Sequence, residues 1–300
     1  MLNSTQKYLS KSCALLALTL LCAVMVTCTQ SDPASASASA SESASTPHDD
    51  ELAGRLTVTG SSTMAPLVNE IAKRFEIAHP NVRIDVQTGG SSRGLADVQR
   101  GTADIGMSSR ALHALEMIHA DTTLLANDGV CFIINRDNPV TTLTAAQIID
   151  IYLGHLHNWS EVGGAHAPIT VVHRADGRSE VELVLAHFNL DGAQIKPDVI
   201  AGENQQGIKL IASDVNAITF MSVGTAEFEV KSGTPIRMLP LDNVPASVSN
   251  VANGSFPLRR PLVLVTPRPR RALTDAFIAF ATSDTVDDLV RKHSFVTLQR

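Results

Sequence analysis

Four short segments of this chain combine small residues with hydroxyls. They are Thr59-Gly60-Ser61-Ser62-Thr63, Thr88-Gly89-Gly90-Ser91-Ser92-Arg93-Gly94, Gly106-Met107-Ser108-Ser109-Arg110, and His173-Arg174-Ala175-Asp176-Gly177-Arg178-Ser179-Glu180. Each follows a strand pattern, and three of them lead into a helix pattern. The first amides of a helix have no intrahelical partner, and that end of the helix is partly positive. Glycine lets the chain approach closely, and hydroxyls add donors beside the free amides. One such junction is an ordinary N-cap. Several converging on one point would enclose a small oxyanion, with charge-assisted hydrogen bonds worth roughly 1.5–3 kcal/mol each. Arg174 ends an apolar strand at its junction, where a guanidinium can grip two oxygens at once. Arg93 and Arg110 read equally as ligand contacts or as solvated surface.

The elements that must position these turns alternate between strand and helix, which predicts α/β architecture. Strands are expected at Leu56–Thr59, Val82–Val86, Asp104–Met107, Gly129–Asn135, Ile169–Val172, Ala217–Phe220, Ile236–Leu239 and Pro261–Thr266. Helical spacing relates Met64, Leu67, Val68, Ile71 and Phe75, then Leu95 and Val98, then Ile148, Ile149 and Tyr152. It recurs in Val181, Val184, Leu185 and Phe188, and in a closing helix with Leu273, Phe277, Ile278 and Phe280. No repeat at a fixed period is present.

Not all of the 300 residues belong to the fold. Lys7 and Lys11 precede an apolar run from Cys13 to Val26, too short for a comfortable membrane span, so residues 1–27 read as an export signal. Residues 28–51 are a Ser/Ala-rich tether with nothing to bury, and the folded part is expected from Leu52. Cys28 stands at the signal boundary before a flexible tether, the layout of a lipid-anchored envelope protein, although Thr27 is a poor residue before an acylated cysteine and a soluble exported protein is the alternative. Cys131 lies within an apolar strand and reads as a small buried hydrophobe. The formal net charge is −6 and aromatics make up 4%. A nucleic-acid partner, which needs a basic field, is excluded on that ground.

The segments together are highly specific. Thr59-Gly60-Ser61-Ser62-Thr63-Met64-Ala65-Pro66, Gly89 to Gly94, and Ala103-Asp104-Ile105-Gly106-Met107-Ser108-Ser109-Arg110 occur in order. Ile151-Tyr152-Leu153-Gly154 with Asn158-Trp159, Arg174-Ala175-Asp176-Gly177, and Gly254-Ser255-Phe256-Pro257-Leu258-Arg259-Arg260-Pro261-Leu262 follow. Over Leu56 to Thr297 the chain resembles the phosphate-binding proteins of Pst-type ABC phosphate transporters, in the periplasmic-binding-protein superfamily. The resemblance implies a two-lobed type II flytrap, each lobe a mixed β-sheet flanked by helices. Lobe one would be 52–134 plus 222–300, lobe two 135–221, with crossings near Ile134–Arg136 and Phe220–Val223. Carried over by position, phosphate contacts fall on Ser62, Thr63, Ser91, Ser92, Ser109 and Arg174, with Arg178 and Ser179 in the fourth junction. The implied partners are inorganic phosphate, an ABC permease and the membrane through a lipid anchor; no cofactor or metal is implied.

Two departures bear on selectivity. Many relatives carry an aspartate in the third junction that accepts the proton of monohydrogen phosphate; here Ser109 stands there. In the fourth, relatives usually have Gly-Ser-Gly-Thr, and this chain has Gly177-Arg178-Ser179-Glu180. Glu180 is either a first-turn carboxylate facing away or the absent proton acceptor. Sulfate, which has no proton to offer, remains an alternative ligand, and a phosphate sensor an alternative role. A phosphoester hydrolase is a further class, against which stand the absence of a Gly-x-Ser-x-Gly elbow and of a Walker-type loop. His155 and His157 read as a surface loop, and His173 as packing.

Overall fold

The computed structural model of the protein describes residues 52–118 and 120–298. The expected signal, the tether and Cys28 lie outside the described residues. Among the described residues no helix is long and apolar enough to cross a membrane.

The first half runs β1 (Gly54–Gly60), α1 (Ala65–Ala78), β2 (Val82–Thr88), α2 (Ser91–Gln99), β3 (Ile105–Ser108) and β4 (Ala120–Asn135). There follow α3 (Ala145–Leu153), β5 (Thr170–Arg174), α4 (Ser179–Phe188), β6 (Val199–Ala201), α5 (Asn204–Ser213) and β7 (Ala217–Ser222). The chain closes with α6 (Val223–Lys231), β8 (Ile236–Met238), α7 (Val248–Ala252), β9 (Arg259–Pro267), α8 (Ala272–Ala281) and α9 (Asp287–Lys292).

Strand order is β2-β1-β3-β9-β4-β7-β5-β6, with β8 also on β4. Two parallel sets stand at opposite ends of this order. β1 pairs with β2 and β3, and β5 pairs with β6 and β7. Helices α1, α2, α4 and α5 begin just beyond the carboxyl ends of these parallel strands, the place where open α/β sheets hold ligands. Between the sets lie the antiparallel strands β4 and β9, paired from Ala120↔Pro267 to Gly129↔Arg259. β4 then exchanges partners and pairs with β7 from Val130↔Ser222 to Ile134↔Ile218.

Local chemistry accounts for the ends of the helices. α1 carries proline in its first turn and buries Leu67, Val68, Ile71, Ala72 and Phe75 along one face. Phe75 meets Phe277 of α8 edge-on with ring centres 5.4 Å apart, a pairing worth about 0.5–1.5 kcal/mol beyond burial. α3 opens with a reciprocal cap between Thr144 and Gln147 and stops at Gly154, whose φ of +69° suits glycine.

The apolar residues gather in two large clusters. One holds Leu56, Val58, Phe75, Leu125, Ala126, Leu262, Leu264 and Phe277. The other holds Val130 to Ile134, Trp159, Val172, Phe220, Val223, Leu241, Phe256 and Leu258. β4 therefore passes from one core to the other between Ala126 and Val130, and the chain entering β9 does so between Leu258 and Leu262. The first passage falls upstream of the expected Ile134–Arg136. Residues 223–258, expected with the first half, feed apolar side chains into the second cluster. β4 also begins nine residues before the expected Gly129, because pairing with β9 carries a polar stretch that has no strand pattern of its own. Cys131 is buried as expected, and burial pushes its thiol well above the usual range.

Candidate functional site

β1, β2 and β3 deliver their three junctions to one point. Gly60 ends β1 with φ +132°, and a Cβ there would stand 2.3 Å from the Met107 carbonyl oxygen, so only glycine lets the first and third turns touch. Ser61 Oγ then lies 2.9 Å from Ser109 Oγ. The Ser109 amide donates to Ser91 Oγ at 3.1 Å, in the first turn of α2. Ser61, Ser91 and Ser109 are all buried.

The second half supplies the fourth junction. Ser179, opening α4, places its Oγ 2.6 Å from Ser109 Oγ, so Ser109 joins hydroxyls from both halves. Gly90 has φ +92°, and a Cβ there would stand 2.7 Å from the Gly177 carbonyl oxygen, another close approach between junctions. Arg174 is fully buried at the end of β5. It donates through Nε to Glu180 at 3.2 Å, through Nη1 to the Glu203 carbonyl at 3.0 Å, and through Nη2 to Asn204 Oδ1 at 2.8 Å. Gly207 leaves room for that guanidinium, since a Cβ there would stand 2.8 Å from Nη1.

A second buried guanidinium, that of Arg260 on β9, completes the cluster. It donates to Asp128 from Nε at 3.1 Å and Nη2 at 3.0 Å, to Ser179 Oγ at 3.0 Å, to Glu180 at 3.3 Å and to Thr63 Oγ1 at 3.2 Å. Thr63 also accepts from Asn204 Nδ2 at 3.2 Å. Two guanidiniums and two carboxylates, Arg174, Arg260, Asp128 and Glu180, thus share one buried network and balance in formal charge. Burial alone would raise the Glu180 pKa, but Arg260 and Arg174 outweigh it and hold the group below the usual carboxylate value.

The expected residues separate by depth. Thr63, Ser91, Ser109, Arg174 and Ser179 meet in the network. Ser62 and Ser92 stand half-buried at its rim. Ser62 Oγ accepts from Arg178 Nη1 at 3.4 Å, and the Ser92 amide donates to the Gly177 carbonyl at 3.4 Å. Arg178 also binds Glu203 at 2.8 Å. Arg93 is surface, donating to Asp97 and to the Thr88 carbonyl. Arg110 lies outside the network between Glu116 and Glu182. His173 packs among Tyr152 and Phe220, and burial lowers its pKa. His155 is exposed beside Asp150. Glu180 faces inward. A cavity of about 340 Å³ opens beside Ser62, Thr88 and Asn204, and another of about 310 Å³ touches Ser179 and Arg260. No group of three or more metal-ligating side chains occurs among the described residues.

The sequence reading singled out Ser62 where Ser61 points inward, and it did not single out Arg260, Asn204 or Asp128 as contacts. Arg260 had a visible signal, since it borders an apolar strand as Arg174 does.

The model of the PBP superfamily domain matches residues 34–285. The chain belongs to the PBP superfamily. The phosphate-binding protein PstS of Bacillus subtilis is 30% identical over 213 residues, 70% of this chain and 69% of that protein. A crystal structure from Clostridium perfringens, described as a phosphate ABC transporter substrate-binding protein with bound phosphate, superposes with TM-score 0.76. It is 28% identical and covers 82% of this chain and 100% of its own. An ABC-type phosphate transport receptor from Vibrio cholerae gives TM-score 0.67 at 26% identity, covering 81% and 100%. The α/β mixed-sheet fold with flanking helices is shared with these members of the superfamily.

Proposed function

We propose that this protein is an extracytoplasmic solute-binding protein that captures inorganic phosphate between two lobes and delivers it to an ABC permease. The observation that carries this reading is the meeting of four hydroxyl-bearing turns after strands, three of them opening helices, around Ser109, with donors from both halves. The similarity to PstS proteins and to a phosphate-bound structure supports phosphate as the oxyanion. The lobes would be 52–129 plus 259–298, and 130–258, divided where β4 and β9 change cores. Capture would proceed by hinge closure at that place.

Thr63, Ser91, Ser109, Arg174 and Ser179 would bind the ligand, with Arg260 and Asn204 beside them and Ser62, Ser92 and Arg178 at the rim. Cys28 would carry the lipid that keeps the protein at the envelope. The role is binding without turnover. Supporting this, the hydroxyls of Ser61, Ser91, Ser109 and Ser179 have serine, backbone, arginine and carboxylate partners, and no histidine base, among the described residues. Calorimetric titration of the purified protein with phosphate tests the reading, beside an assay for phosphoester hydrolysis. Saturable one-site binding without turnover is expected; turnover, or no phosphate binding, overturns it.

A further inference from the structure

We infer that the site also takes phosphoryl groups bearing one short hydrocarbon arm, joined through carbon or through oxygen, with the arm lodged in the cavity beside Ser179 and Arg260. The inference rests on the phosphate reading above and extends it to a further class of ligand.

That cavity, of about 310 Å³, lies between the two halves. One wall is Ala111 and Leu112, which follow β3. The other is a single face of α4, where Ser179, Leu183 and Ala186 stand at helical spacing. Pro261 of β9 lines it too. Its inner end belongs to the buried network. Ser179 Oγ lies 2.6 Å from Ser109 Oγ and accepts from Arg260 Nη1 at 3.0 Å. A tetrahedral ligand held by Ser109, Ser179 and Arg260 would have the cavity directly beside it.

The chemistry of these walls decides what can enter. A phosphate oxygen turned away from donors and from water pays for its unmet lone pairs. The side chains of Leu112, Leu183, Ala186 and Pro261 offer it no donor. A carbon arm needs none, and it gains by leaving water. Nor do the nearby cations call for a second anion. Arg110 is held by Glu116 at 2.8 Å and Glu182 at 2.9 Å, and Arg259 is exposed to solvent. The arm is therefore uncharged. At roughly 30 Å³ for a group of about water's size, a three-carbon arm fits the volume with room to spare. The other cavity differs in kind. Asn69, Thr88, Asn204, Gln205 and Thr225 stand around it beside Ser62, a polar setting that suits water or an entering ion.

The test is calorimetric titration of the purified protein with inorganic phosphate and with methyl-, ethyl- and propylphosphonate. The phosphonates should displace phosphate from one shared site, and affinity should rise from methyl to propyl by about fourfold per added methylene. Ethyl phosphate, whose arm is as long as propyl but joins through oxygen, tells the two sources apart. The tighter of the pair names the source, and either order supports the shared arm. Ala186→Phe, which fills the cavity from an exposed position, should remove the rise along the series and leave phosphate binding unchanged. Phosphate binding without phosphonate competition overturns the inference and leaves phosphate capture standing, whether or not the variant folds. So does an affinity that is flat or falling from methyl to propyl. A rise that persists in a folded Ala186→Phe also overturns it, for the arm then lies elsewhere. A protein that binds neither phosphate nor any phosphonate overturns the phosphate reading itself.

Discussion

Asp128 and Arg260 face each other in register on β4 and β9, one rung from the pair Gly129↔Arg259. Both are buried, and their ion pair closes at 3.0 Å. It lies beside the place where the two strands leave one apolar core for the other. From there the same guanidinium reaches Thr63 of the first half and Ser179 and Glu180 of the second.

Arg260→Ala should therefore lower stability by about 3–5 kcal/mol, because it strands the Asp128 carboxylate in the interior. The double variant Asp128→Asn with Arg260→Gln should recover part of the loss. Urea denaturation of the single and double variants checks this; additive losses would show that the two side chains act independently.

The hydroxyl cluster sets the next expectation. Thr63→Ala and Ser91→Ala should each weaken phosphate binding by about 1–3 kcal/mol, roughly tenfold to hundredfold. Arg174→Ala should weaken it further. Titration calorimetry reads all three, and unchanged affinity throughout would move the pocket elsewhere.

Gly60→Ala should destabilise the protein even though the side chain is minimal. The residue has φ +132°, and its Cβ would press on the Met107 carbonyl oxygen at 2.3 Å. Backbone strain of this kind costs on the order of 1–3 kcal/mol, seen as a lowered midpoint in thermal unfolding.

Acid should unfold the protein in two stages with the same sign. Burial lowers the His173 pKa below its ordinary 6.5, so the unfolded chain takes up the proton first. Stability from this group is complete above 6.5 and falls as pH drops toward its folded value. Glu180 is held below its ordinary 4.5 by Arg260 and Arg174 against the opposing effect of burial. Its contribution is complete above 4.5 and is lost as pH falls through its lowered folded value. Denaturant unfolding across pH 3–8 (roughly the window these shifts define) reads both stages, and Glu180→Gln should flatten the lower one.

The chemistry of the first two junctions was legible because strand, glycine, hydroxyl and helix follow one another locally, and that of the third because glycine and paired hydroxyls close a strand. The fourth was legible through Arg174 and Ser179. Contacts between remote residues were not. Asp128 sits in Asn127-Asp128-Gly129, a triplet with turn composition, and only pairing with β9, 132 positions away, makes it part of a strand. β6 has three residues, and Asn204 opens α5 with no hydroxyl pair to mark it. The direction of Glu180 was open because a first-turn carboxylate stabilises the helix whichever way it points. Two arginines, Arg174 from β5 and Arg260 from β9, decide it.

Joining the halves by two hydrogen-bonded neighbours, β4 and β9, limits how they can part. A lone connector would swivel freely, whereas two adjacent paired strands would flex together, and the proposed hinge places that flexing at the rung Gly129↔Arg259. Under the capture proposed above, opening would be confined to a swing about that single line, as with a gate hung on two pins, and closure would bring Ser179 back to the same hydroxyl of Ser109.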